Sequence, residues 1–172
     1  MTAQTSPDLP AALAEFPFEL AQTRRMLERV PMEQKDWKPH AKSASLGQLA
    51  THVANLAHLA QLIVDTDGLD FAKSPPKPPA QAETTDDLLK ALDEKGGKLV
   101  KSLAGLTPEQ LGAEWAIRVG ETVMVGGTRG EMLRRMGINH LVHHRGQLSV
   151  YLRLLDVPVP GLFGPSADER GL

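Results

Sequence analysis

From Leu46 onward, leucine and its apolar equivalents recur at alternating spacings of three and four, through Leu49, Leu56, Leu59 and Ile63, and one member of that stripe is a histidine, His52. This period belongs to an amphipathic helix, which must bury its apolar face against other elements. The start is written just upstream, where Ser45 and Gln48 stand in the S-x-x-Q relation of a capping box. The helix is expected from near Leu46 to near Gly68.

Three more stretches share the period. The first runs from about Leu9 to Val30, with Leu13, Phe16, Leu20, Met26 and Leu27 on its face. Pro17 interrupts it, removing a backbone donor, and either kinks the helix or marks its true start one turn later. Another covers Thr85 to Leu103; there Gly96 and Gly97 each weaken the helix by about 1 kcal/mol relative to alanine and predict a bend. Thr128 and Glu131 form a second capping box, opening a long helix that should reach about Asp156, before Pro158 and Pro160 stop it.

The connections are equally legible. SPPKPPAQ, between Lys73 and Ala82, favours an extended crossover. Thr107 and Pro108 read as the N-cap and first residue of a short turn, and Trp115 to Val125 carries the signal of a small hairpin around Gly120. The C-terminal PGLFGPSADERGL reads as a packed loop followed by a loose end. The expected fold is therefore all-α: a four-helix bundle in one domain spanning residues 1–172, with a small β-hairpin before the last helix.

Composition removes several function classes. A formal net charge of −2 and a pI near 6.3, with no run of Lys and Arg, leave no electrostatic footprint for nucleic acid. Cysteine is absent, which excludes a disulfide framework, thiolate ligands and a cysteine nucleophile. The N-terminus lacks a charged n-region with an apolar core, and no segment offers about 18 uninterrupted apolar residues. The expectation is a cytoplasmic protein without a membrane or nucleic-acid partner.

Six histidines remain, at positions 40, 52, 58, 140, 143 and 144. At about 100° per residue, with His140 at zero, Leu133 and Tyr151 fall near 20° and His144 near 40°, whereas His143 falls near −60°. His140 and His144 are therefore expected at the centre of the buried stripe and His143 at its edge. His52 holds a position that the leucine pattern of its own helix reserves for core; His58 lies about 120° away from it.

A buried imidazole left unsatisfied costs about 1–3 kcal/mol, so each ring needs a partner. Taken singly, each reads as a hydrogen-bonded core histidine. Taken together, with an i, i+4 pair facing a third ring, a shared ion is the more economical explanation. Position 141 is Leu, so the pair is not H-E-x-x-H, and no Glu-x-x-His occurs. A site of three neutral nitrogens with an open position suits Zn²⁺, Ni²⁺ or Fe²⁺. Asn55 and Gln147, one turn from His52 and His144, are candidates to orient an imidazole or bound water, and Tyr151 to line the cavity. Gly146 is expected to admit a neighbouring helix, and Arg145 to face solvent.

The stretch WKPHAKSASLGQLATH (Trp37 to His52), followed much later by NHLVHHRGQL (Asn139 to Leu148) and the terminal GPSADE, resembles the DinB/YfiT superfamily of metalloproteins. That resemblance implies a four-helix bundle in up-down-down-up order, often a homodimer, holding a metal through His52, His140 and His144. Similar proteins include thiol-dependent enzymes such as mycothiol-dependent maleylpyruvate isomerase and bacillithiol transferases. It thus implies a metal-dependent hydrolase or thiol transferase acting on a small-molecule substrate, with a low-molecular-weight thiol as candidate cofactor. A non-enzymatic metal- or ligand-binding module is the alternative.

Overall fold

A computed structural model describes residues 9–170, so the last two residues of the expected C-terminal loose end lie outside the described residues. The first apolar stretch divides into α1 (Leu9–Leu13) and α2 (Phe16–Leu27). Pro17 sits in the first turn of α2, where no intrahelical acceptor awaits its missing N–H. A short 3₁₀ turn, Met32–Gln34, follows.

Helix α3 (Leu46–Asp65) opens on the expected reciprocal cap: Gln48 N donates to Ser45 Oγ at 3.2 Å and Ser45 N to Gln48 Oε1 at 2.9 Å. It ends at Asp65, short of Gly68. Thr84 and Asp87 cap α4 (Thr85–Leu103) in the same way, and Thr107 and Gln110 cap α5 (Pro108–Gly112). Helix α4 runs unbroken through its two glycines. Gly96 serves packing, since a methyl group there would come within 3.1 Å of Leu20 on α2. The proline stretch between α3 and α4 carries no helix or strand.

A three-stranded sheet, ordered β1-β2-β3, covers one end of the helices. The expected hairpin is β2 (Glu114–Val119) paired antiparallel with β3 (Thr122–Thr128), turning at Gly120 with φ 60°. β1 (Leu69–Asp70), parallel to β2, was not expected, because two residues are too few to show a period. Trp115 on β2 is 1% exposed and donates its indole N–H to Thr66 Oγ1 at 3.2 Å, fastening the sheet to the end of α3.

The last helical run opens at the Thr128–Glu131 capping box as α6 (Arg129–Met132), passes through a π-helical segment (Leu133–Asn139), and continues as α7 (His140–Leu154). Buried Arg129 satisfies carbonyls that the end of α3 leaves open, donating to Ile63 O at 3.0 Å and Thr66 O at 3.0 Å, and it reaches Gln110 O on α5 at 2.9 Å.

The core has two apolar layers. Met26, Leu49, Val53, Leu92, Leu148 and Leu152 represent one; Phe16, Ile63, Leu99, Trp115, Met132 and Leu133 represent the other. The buried face of α7 is Leu141, Arg145, Leu148 and Leu152. Arg145 is therefore not the solvated residue expected from its charge. It is 1% exposed, meets Glu19 Oε2 of α2 at 2.6 Å, and donates from Nη1 to Glu19 O at 3.0 Å and Thr23 Oγ1 at 3.3 Å. The charges of Arg145 Nη2 and Glu19 Oε2 touch without being aligned as a hydrogen bond, so the contact is primarily Coulombic. Gly146 is likewise corrected: it is exposed, and nothing lies within 4 Å of where a side chain would begin.

The C-terminal segment packs as a loop, as expected. Arg25 donates to Gly161 O at 2.8 Å, Gln22 to Leu162 O, and Arg153 to Asp168 Oδ2 at 2.6 Å. Asp168 also accepts from Val159 N at 2.8 Å; with Arg153 as the leading cause, its carboxyl is held down at about 2.

Removing one partner of a buried ion pair strands the other, which costs about 3–5 kcal/mol. Arg145→Ala should lower the urea midpoint accordingly, while Arg145→Met combined with Glu19→Leu should recover most of the loss. Equal midpoints for wild type and Arg145→Ala would contradict this account of α7.

Candidate metal centre

His52 lies two turns into α3, among Thr51, Val53 and Leu56, which are buried. His140 begins α7 and His144 follows one turn later, so helical geometry stacks their rings on one flank. Across the seam between α3 and α7 the three imidazoles converge. Ring centroids are 4.5 Å apart for His52 and His144, 4.7 Å for His140 and His144, and 5.3 Å for His52 and His140. One nitrogen from each lies within 4.8 Å of the others. Small side-chain rotations suffice for three such nitrogens to share one ion, whose bonds to imidazole run about 2.0–2.1 Å.

The trio was expected at the centre of the bundle and lies instead on its flank. His140 and His144 are half-buried and His52 is exposed along one side. The cause on α7 is the π segment. Its i→i+5 bonding breaks the rotation of about 100° per residue used to carry phase from Leu133 to His140, and the buried stripe becomes that of Leu141. On α3, a buried stripe runs through Leu49, Val53, Leu56, Ala60 and Ile63, with His52 beside it.

Desolvation is still the leading influence on every ring. It lowers His52 to about 4, with further lowering from His144 and then His140, although one side of the ring meets solvent. His140 is lowered first by burial and then by His144, and His144 by burial against an opposing hydrogen bond from Gln147. His140 Nδ1 is buried without an aligned hydrogen bond; the Met136 carbonyl raises the ring's proton affinity without meeting hydrogen-bond geometry to that nitrogen. All three imidazoles are thus biased towards the neutral form that binds metals.

The neighbours sort clearly. Gln147 Oε1 stands 2.7 Å from His144 Nδ1. Asn55 turns towards α4, its amide donating to Thr51 O at 2.7 Å and its carbonyl accepting from Lys95, so it hydrogen-bonds to no histidine here. Tyr151 is two turns beyond His144, edge-on to Trp37 at 5.6 Å, and donates to Ala44 O at 3.2 Å. His143 is exposed, its ring 4.8 Å from that of His144, and stands outside the trio; His40 and His58 are exposed elsewhere. Sequence reasoning missed Arg145, which holds α7 against α2. The signal was its place in the spacing Leu141, Arg145, Leu148, Leu152.

A sequence profile of the DinB family matches residues 1–170. The chain is 29% identical over 133 residues to the uncharacterized protein YjoA of Bacillus subtilis, covering 76% of this chain and 80% of that protein. It is 25% identical over 158 residues to uncharacterized YrdA of the same organism, covering 91% and 89%. Among solved structures, DinB-like YjoA superposes with a TM-score of 0.64 at 25% identity, covering 88% of this chain and 96% of that one. A DinB-like protein of Bacillus cereus reaches 0.68 at 19% identity, covering 87% and 94%. YfiT of Bacillus subtilis, described as a probable metal-dependent hydrolase with an unusual four-helix bundle topology, reaches 0.59 at 16% identity, covering 91% and 93%.

The lowered histidines fix a pH dependence for the metal-free protein. His52 titrates near 4 when folded against its ordinary 6.5, so between those values the unfolded chain binds more protons. Stability should be full above about pH 6.5 and fall as pH drops towards 4. Chemical melts at pH 7.5 and pH 5 should show this loss, and His52→Ala should reduce it. An unchanged slope in that variant would count against the assignment.

Proposed function

This chain belongs to the DinB family, and from that premise we propose that it is a metal-dependent enzyme in which His52, His140 and His144 hold one divalent ion, Zn²⁺, Ni²⁺ or Fe²⁺. The observation that carries the reading is the convergence of three imidazole nitrogens within 4.8 Å, with no fourth histidine or carboxylate joining the group among the described residues. Three protein ligands with a position left over are the donor set of a catalytic site, whereas structural sites close all four. When bound, the ion supplies Lewis acidity, bringing a coordinated water or thiol into the neutral pKa range.

The chain's own residues then hold the ligands neutral, through desolvation, and leave the His52 side of the seam open to a small substrate. The reaction class is hydrolysis or transfer to a thiol. The description of YfiT as a probable metal-dependent hydrolase supports the first. The chain's lack of cysteine accords with the second, because any thiol must arrive from outside.

The up-down-down-up order belongs to the same reading. It is supported by pairs that advance together on α3 and α4, Asn55 with Lys95 and Gln61 with Ser102, and by residues of the last helical run that approach α2 in step, Gly137 of the π segment with Phe16 and Arg145 of α7 with Glu19. Homodimer assembly is supported by Val150 and Leu154, exposed on α7. A cytoplasmic location without nucleic-acid partners accords with the net charge of −2, and no helix among the described residues is long and apolar enough to cross a membrane.

Untagged protein prepared without nickel chromatography should contain about one divalent ion per chain, the stoichiometry of a three-histidine site. His52→Ala, His140→Ala and His144→Ala should each lose it and abolish turnover of ester or small-thiol test substrates. His143→Ala should keep the metal. Full metal content in His140→Ala, or equal loss in His143→Ala, would overturn the proposal.

A further inference from the structure

The three rings are not held alike. His144 Nδ1 faces Gln147 Oε1 at 2.7 Å, a distance at which one of the two atoms must carry the hydrogen. An amide oxygen only accepts, so the proton sits on Nδ1 and the lone pair on Nε2. Neither of the other ligands has such a partner: His140 Nδ1 is buried without an aligned hydrogen bond, and no side chain among the described residues bonds to the His52 ring. Residues three apart on α7 lie side by side, so Gln147 reaches His144 without distorting the helix.

We propose that Gln147 is a positioning residue that fixes the tautomer and ring orientation of His144, and that the metal affinity of the whole site depends on it. The inference rests on reading His52, His140 and His144 as metal ligands. A free neutral imidazole divides its proton between two nitrogens and rotates; metal binding must then select one tautomer and one rotamer at a cost in affinity. Gln147 removes that cost before the ion arrives. Partners of this kind commonly alter metal affinity by about 10–100-fold when lost. Were the amide reversed, its NH₂ would donate to Nδ1, move the ring proton to Nε2 and take away the lone pair that the site needs.

The test uses full-length, untagged protein at a fixed pH of about 8, where the imidazoles are neutral in folded and unfolded chains alike. In the metal-free protein, ¹⁵N spectra of the His144 ring should show the Nδ1–H tautomer in wild type and a mixture in Gln147→Leu. Zinc affinity, measured by competition with a chromophoric chelator, should fall about 10–100-fold in Gln147→Leu and recover in Gln147→Glu, whose carboxylate accepts the same hydrogen bond. Thermal melts should show all variants folded. The inference is overturned if Gln147→Leu keeps both the tautomer and the affinity of wild type, or if wild-type His144 carries its proton on Nε2. His52→Ala, run in parallel, separates the two failures. Lost zinc there with unchanged Gln147→Leu rejects only the role of Gln147, whereas unchanged zinc in His52→Ala rejects the metal site itself.

Discussion

Arg145 has to remain buried against Glu19 for α7 to keep the rotation that turns His140 and His144 towards α3. A guanidinium taken out of water costs several kcal/mol unless a counter-charge and further acceptors receive it, and here α2 supplies the Glu19 carboxylate, the Glu19 carbonyl and Thr23. That arrangement is directional, unlike the leucine contacts around it. Leu141, Leu148 and Leu152 can bury apolar surface at several rotations, but only one puts the guanidinium in its acceptors. His144 is the next residue back along the chain, so the rotation that satisfies Arg145 also presents the pair of imidazoles at the seam.

The π segment before α7 makes this rotation compatible with the packing upstream. Leu133 and Ile138 fill the second core layer, and Gly137 passes so close to Phe16 that a methyl group would come within 2.6 Å of the ring. A regular α-helix continued from those contacts would carry a different stripe of α7 inward. Widened turns of this kind occur often at functional sites, and here the widening separates the residues that pack from the residues that meet across the seam.

Most of the scaffold was legible because its signals are local. Capping boxes at Ser45 and Thr128, the N-cap at Thr107, Pro17 and the Gly120 turn all act within four residues, and each appears where the pattern places it. The convergence of His52, His140 and His144 was legible too, because an i, i+4 pair defines a flank whatever the absolute phase. The absolute phase itself was not. It was carried across residues whose backbone bonding changes, and with it went the depth of the site, the fate of Arg145 and the open face at Gly146. Asn55 illustrates a different limit: its partner, Lys95, comes from another helix, which no spacing within α3 can announce.

Desolvation gives the seam its chemical character. The surroundings of the three rings, and the rings themselves, lower their proton affinity and favour the neutral form that a metal ion requires, and the same burial makes the metal-free fold acid-sensitive. X-ray absorption at the metal edge of protein prepared without added nickel tests this most directly. The account predicts three imidazole nitrogens at about 2.0–2.1 Å, with the remaining coordination supplied by light atoms from solvent. A shell dominated by carboxylate oxygen, or containing one imidazole or none, would contradict it.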